Sequence, residues 1–304
     1  MTVMRVTTSQ TFDRPSLLMA NLNREADRLQ TQVATGKKIQ APSDSAPDWQ
    51  RLSTLSRAAA DDTAYTSNAK LAQSLLADSD ASMSSIETQL QRAKEIAVQA
   101  NSDTLSPEAR SQLKDQVDAI ITDILNLANA KDTRGQPLFA GASGDTAYAR
   151  QGDGSIAYVG GGEASTIPIA NGVSVQATQS GARVFAVKTD SGDSDVFAIL
   201  SAFSAALATD APQGGIDKAL GELDSALDSV GTVRSSIGAR AYGVDLELNR
   251  LSDANVARET ERSGIEDADT TESIAQLQKT LTILQATQAS FTKLTSLSLF
   301  DYLR

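Results

Sequence analysis

Apolar side chains recur at steps of three and four along most of this chain. Ile274, Leu277, Leu281, Leu284, Gln288 and Phe291 follow one another at that spacing, and the segment closes on Leu297-Ser298-Leu299-Phe300-Asp301-Tyr302-Leu303-Arg304. The spacing puts these side chains on one helical seam. The last residues of a domain are commonly polar and frayed. A seam that keeps its leucines and aromatics for the final turn needs a surface to cover them. The other end of the chain, a neighbouring subunit, or both would serve.

Near the start, Leu18, Leu22, Ala26, Leu29 and Val33 make a matching stripe, and Gly36 follows as the expected C-cap. Ala41-Pro42-Ser43-Asp44-Ser45-Ala46-Pro47 reads as an ordered loop, because its prolines stop a helix and its Ser and Asp side chains offer turn bonds. A long helix is expected from about residue 48 to Ala100, striped by Leu71, Leu75, Met83, Ile86, Leu90, Ala93 and Ala97. Ser106-Pro107-Glu108 restarts the helix with an N-cap, a first-turn proline and a first-turn acid. Leu113, Val117, Ile120, Ile124 and Leu127 carry the second arm of a helical hairpin toward Gly135.

The pattern changes at Pro137, where Gly, Thr, Val and Tyr become frequent. Gly152-Asp153-Gly154 separates Ala147–Arg150 from Ile156–Val159, and Asn171-Gly172 precedes Val173-Ser174-Val175, both hairpin signals. Val184–Val187 reads as a further strand. Helix returns near Asp195 with Phe197, Leu200, Phe203 and Leu207. A long helix then carries Ile216, Leu220, Leu223, Leu227, Val230, Val233, Ile237, Val244, Leu248 and Leu251. Gly231, Gly238 and Gly243 inside it each cost about 1 kcal/mol relative to Ala, and close packing against another helix is the expected reason. Ser263-Gly264 is expected to break this helix before the final one.

The expected fold is mainly α with a small inserted β domain: an elongated helical-bundle rod, terminal coiled-coil helices and a distal antiparallel β domain. Residues 1–47 and 263–304 form the terminal helices, 48–136 and 190–262 the rod, and 137–189 the β insertion. Ordering a residue costs about 1–2 kcal/mol of backbone entropy, and a buried apolar side chain returns about 1.5–3 kcal/mol. A terminal helix therefore balances only if nearly all its apolar surface is covered. Two stripes paired with each other leave flanks exposed, so both ends are expected to be disordered in the monomer and coiled on assembly.

The chain has 304 residues, a net charge of −11, 4% aromatics, no cysteine and no histidine. That charge argues against nucleic acid, which needs clustered Lys and Arg, and against an anionic membrane surface. No stretch reaches the length of an apolar membrane span. Met1-Thr2-Val3-Met4-Arg5 shows no apolar signal core, so the general secretory route is not expected. Without histidine or cysteine there is no Ser-His-Asp or Cys-His nucleophile and no His-ligated metal.

Asp190-Ser191-Gly192-Asp193-Ser194-Asp195 misses the calcium-loop spacing and reads as a solvated loop capping the next helix. Gly152-Asp153-Gly154 and Gly160-Gly161-Gly162 lack the Gly-Lys-Ser/Thr of a phosphate loop and are turns. Glu266, Asp267 and Asp269 suit the N-terminal dipole of the last helix better than a carboxylate active site. No enzyme, cofactor or metal is expected.

Met4–Gln10, Leu29–Pro47 (LQTQVATGKKIQAPSDSAP), Leu138-Phe139-Ala140-Gly141, Val230-Gly231, Ile237–Arg240, Ile265–Asp269 and the ending Leu297–Leu303 appear in this order. Together they resemble the bacterial flagellin family, and its hook–filament junction branch more than its filament branch, because filament flagellins typically end differently. The resemblance implies a secreted structural protein of the flagellum, exported through the type III apparatus without a cleaved signal peptide. It implies a ring of this chain on hook-associated protein 1, a surface on which flagellin stacks, and an export chaperone that shields the C-terminal helix beforehand. The assembly residues expected from it are Leu18, Leu22, Leu29, Val33, Leu277, Leu281, Leu284, Phe291, Leu297, Phe300 and Leu303. Two alternatives are a filament flagellin and a cell-surface paralogue binding carbohydrate through the β domain, with Tyr148 and Tyr158 stacking on the sugar.

Overall fold

The structure is a computed structural model and describes residues 8–302 apart from 103–104, 144, 191 and 210–211, with side chains described between 13 and 293. Met4–Thr7 and Leu303 lie outside the described residues, as do the side chains of Leu297 and Phe300. Three helices come first: α1 (Thr8–Thr35), α2 (Ala46–Ala100) and α3 (Pro107–Ala128). Six short strands follow, with a one-turn helix among them: β1 (Tyr148–Arg150), β2 (Ile156–Tyr158), β3 (Ile167–Ala170), β4 (Val173–Val175), α4 (Gly181–Val184), β5 (Ala186–Thr189) and β6 (Gly192–Asp195). Then come α5 (Val196–Leu207), α6 (Gln213–Glu266) and α7 (Thr270–Tyr302). The chain divides into two compact units, residues 1–60 with 255–304, and residues 61–254.

The core lies in the second unit. On α2, Ala69, Ala72, Leu76, Ser79, Met83, Ile86, Leu90, Ala93, Ala97 and Ala100 are all buried. They alternate at steps of three and four, which keeps one seam facing inward over the whole segment. On α6, Ile216, Ala219, Leu223, Ala226 and Val230 repeat the spacing, and α3 buries Leu113, Val117, Ile120 and Ile124. Polar side chains flank the seam: Gln73 with Asp245, Arg234 with Asp80 and Glu87, and Lys94 with Asp224. As the α2 number rises the α6 number falls, so the two helices run antiparallel. Ser106 caps α3 as its sequence indicates, its hydroxyl accepting from the Ala109 N–H at 3.2 Å, with Pro107 at the first helical position.

Three antiparallel hairpins make up the β insertion: β1–β2, β3–β4 and β5–β6. Asn129, just past α3, seats the first, accepting from the Ala147 and Tyr148 N–H groups and donating to the Tyr148 carbonyl at 2.9 Å. Phe139, Tyr148, Phe185 and Phe197 pack edge and face, with ring centroids 4.8–5.9 Å apart. Gly141 must be glycine: its φ is +70° and an added Cβ would fall 2.5 Å from the Gly162 carbonyl.

Four local expectations are corrected. Val184 ends α4 rather than starting a strand, which begins at Ala186. The 190–195 stretch contains β6, paired with β5 from Ala186↔Asp195 to Thr189↔Gly192. The capping reading there holds, since Asp195 accepts from the Phe197 and Ala198 N–H groups at the head of α5. α6 runs through Ser263-Gly264 to Glu266. Arg262 reaches back to Glu259 and forward to Glu266, bracing the turn around Gly264. Finally, a Cβ on Gly231, Gly238 or Gly243 would meet nothing within 4 Å, so packing within the chain does not explain them.

Candidate assembly interface

In the first unit α1 ends at a glycine for a backbone reason. Gly36 has φ +71°, and its N–H donates to the Gln32 carbonyl at 2.8 Å. That left-handed residue turns the chain so that Lys37 bridges Asp267. Two backbone bonds follow: the Lys38 N–H donates to the Glu266 carbonyl at 2.7 Å, and the Ala268 N–H to the Gly36 carbonyl at 2.8 Å. The Lys38 ammonium reaches the Gly264 carbonyl at 3.2 Å. The Glu266 carboxylate pairs with both Lys37 and Arg262. These contacts form a clasp between the end of α1 and the start of α7, so the two helices run antiparallel.

The flanking turns are held by carboxylates. Asp44 accepts from the Gln40 and Ala41 N–H groups at 2.8 and 2.9 Å, and those bonds hold its carboxyl below the ordinary aspartate value. Asp269 accepts from the Glu272 N–H at 3.0 Å in the first turn of α7. Asp269 thus fills the capping role expected of the acidic cluster, while Glu266 takes an ion-pair role that the helix-dipole argument missed. The signal was present in the opposite charges of Lys37-Lys38 and Glu266-Asp267. Beside the clasp, Trp49, Leu52 and Arg57 of α2 face Arg262 and Glu266 of α6 across a groove of about 440 Å³. Arg51 pairs with Glu261 there, Nε to Oε1 at 2.7 Å.

α1 packs along α7, and the expected seam splits in two. Leu29 is 1% and Leu284 8% exposed, and these hold the pair together with Ala26. Leu22, Val33, Leu277 and Phe291 are half-buried. Leu18 is 49% and Leu281 41% exposed. Ile274, which heads the expected seam, is exposed as well, as are Leu17 and Ile283, not singled out from the sequence. Pairing the two stripes therefore leaves Leu18 and Leu281 of the expected seam uncovered.

The sugar-stacking reading of Tyr148 and Tyr158 is corrected by their surroundings. They are cross-strand partners with ring centroids 5.4 Å apart. Tyr148 is buried, and its hydroxyl donates to the Gly181 carbonyl at 3.0 Å. Burial and the nearby Asp195 charge push its phenol well above its usual range. Tyr158 bonds Ser180 through its hydroxyl at 3.1 Å. Tyr148 is closed to a ligand, and Tyr158 is half-buried against it. Among the described residues no helix is long and apolar enough to cross a membrane.

Residues 15–144 match the model of the bacterial flagellin N-terminal helical region, and residues 220–303 match that of the C-terminal helical region. The chain belongs to the bacterial flagellin family, as a structural protein of the flagellum. It is 28% identical over 316 aligned positions to flagellar hook-associated protein 3 of Escherichia coli, covering 98% of this chain and 99% of that protein. The protein of the same name from Salmonella typhimurium is 27% identical over the same span, at 98% and 99% coverage. In fold, the crystal structure of FlgL from Xanthomonas campestris superposes with a TM-score of 0.63 at 18% identity, covering 69% of this chain and 99% of that one.

Proposed function

We propose that this chain forms the ring that joins the flagellar hook to the filament and serves as the template on which flagellin assembles. The observation that carries this reading is the end-to-end similarity to hook-associated protein 3, which spans 99% of that relative. A match to the helical ends alone would suit any flagellin. The Leu-Phe-Asp-Tyr-Leu ending supports the junction over the filament.

On this reading subunits leave through the type III apparatus without a cleaved signal peptide. Their partners are hook-associated protein 1 on one side, flagellin on the other, and further copies of this chain within the ring. A flagellar chaperone covers the C-terminal seam before export, taking its apolar side chains as helix-in-groove anchors. The far ends of the terminal helices are loose in the monomer and order on assembly. Leu29 and Leu284 then close α1 on α7, Leu18 and Leu281 face neighbouring subunits, and Leu297, Phe300 and Leu303 are further assembly contacts.

Electron microscopy of a deletion strain tests the proposal. The expected result is hooks without filaments and flagellin released into the medium. Filaments of normal length on the deletion strain would overturn it.

A further inference from the structure

Resting on the reading that α1 and α7 order together, we propose that the Gly36–Glu266 clasp is the device that couples them. It nucleates the helix pair, which then zips from the clasp toward both chain ends.

Starting a helix fixes several residues for a single hydrogen bond, so isolated helices are marginal and nucleation is the costly step. The clasp supplies that step for two helices at once. Its backbone bonds, Lys38 N–H to Glu266 and Ala268 N–H to Gly36, tie the segment that follows α1 to the segment that leads into α7. Bringing distant segments together carries a closure entropy. Here the Arg51–Glu261 pair already holds the start of α2 beside the end of α6, the two segments from which the clasp strands emerge. Ile39, buried inside the clasp turn, adds an apolar anchor.

Burial follows the same gradient. Among the described side chains of α1 the buried positions are Ala26, Leu29 and Gln32, all in the half next to the clasp, while Leu17 and Leu18 are exposed. On α7, Ser273 near the clasp is buried, and beyond it Leu284 is the one buried position among the described side chains. Segments with few buried contacts open first. The pair therefore frays from the ends and holds at the clasp.

Gly36 offers a clean probe. An added Cβ would meet nothing within 4 Å, so a substitution acts only through the φ of +71°, which β-branched residues rarely adopt. Hydrogen exchange read by mass spectrometry on the dilute full-length chain tests the inference. In the native chain, exchange is expected to be slowest at residues 29–35 and 270–277 and to quicken toward 13 and 293. Gly36→Val is expected to speed exchange about tenfold or more in both helices while leaving α3 unchanged. Glu266→Gln, which keeps the backbone bonds and weakens the pairs with Lys37 and Arg262, should give a smaller change of the same pattern. It replaces Gly36→Val as the test if that variant also loosens α3. Leu284→Ala should quicken the far halves and spare the turns at the clasp.

Uniform exchange along both helices, or a Gly36→Val effect confined to α1, would overturn the coupling. Neither outcome touches the junction role, which the deletion strain tests separately. Filaments on that strain, with the exchange gradient intact, would remove the junction role and leave the clasp.

Discussion

The backbone N–H of Lys38 donates to the carbonyl of Glu266 at 2.7 Å, joining the segment after α1 to the segment before α7. The side chain of the neighbouring Lys37 pairs with the same Glu266. Beyond this junction α1 and α7 lie antiparallel, with Leu29 and Leu284 buried and Leu18 and Leu281 exposed.

The outward flank separates stability from assembly. Leu18→Ser with Leu281→Ser removes two exposed side chains, so the folding midpoint should move by no more than about 0.5 kcal/mol for each change. Ring formation and capping of hooks should be lost. Melting curves and electron microscopy of the same preparation read both effects. A large stability loss would mean that the flank is already covered within the monomer.

Glycines on α6 should be improvable. Since a Cβ at Gly231, Gly238 or Gly243 meets nothing, each Gly→Ala change should stabilise the monomer by about 1 kcal/mol through helix propensity. Urea midpoints check this. Destabilisation by any of the three would show that the helix is crowded at that point.

The α2–α6 seam carries one branched ion pair. Arg234 donates to Asp80 at 3.1 Å and to Glu87 at 2.6 Å, with about a third of the arginine side chain exposed. Solvent screening limits such pairs to about 0–1 kcal/mol. Arg234→Met should therefore cost about 1 kcal/mol at low salt, where Asp80 and Glu87 are left to repel each other, and less at high salt, where that repulsion is screened. Denaturation at two ionic strengths measures it, and an effect that grows with salt would contradict the electrostatic account.

Aromatic packing anchors the β insertion. Phe185→Ala removes a fully buried ring that touches Phe139, Tyr148 and Phe197, and should cost about 3–5 kcal/mol. Calorimetry of the variant gives the number. A cost under about 1 kcal/mol would mean that the cluster does not hold the insertion.

Acid should loosen the clasp turn. The Asp44 carboxyl is lowered from its ordinary value of 3.8 by the Gln40 and Ala41 N–H groups, so it contributes stability above that value and loses it as pH falls through the folded value. Asp132 and Asp118 shift in the same direction: burial opposes ionisation, but N–H and ammonium or hydroxyl donors outweigh it. The chain has no histidine, so stability should stay flat between about pH 5 and 8. Emission from Trp49, the chain's single tryptophan, reads the clasp side of the groove during an acid titration. A transition centred above pH 5 would contradict this assignment.

Much of the fold could be read from the sequence because periodicity reports directly on burial. Met83, Ile86 and Leu90 mark the α2 seam by spacing alone, and Ser106-Pro107 marks the head of α3 by capping chemistry. The backbone bonds of the clasp leave no side-chain signal, and the opposite charges of Lys37-Lys38 and Glu266-Asp267 were the trace of it that the sequence carried. Gly264 misled as a helix breaker because Arg262 and Glu266 brace the turn on either side of it. β6 escaped because Gly192-Asp193-Ser194 has little strand propensity, and its pairing with β5 decides its conformation. At the interface, spacing identified the terminal seam but could not divide it. Leu29 and Leu18 share one stripe, and only the placement of α7 makes the first a core residue and the second a surface one.

The junction role is tested most directly by shearing flagella from cells, separating hook-proximal ends from filament fragments, and locating this chain with a specific antibody. The account predicts label confined to a short zone at the hook end. Label spread along the filament, or absent from the flagellum, would contradict it.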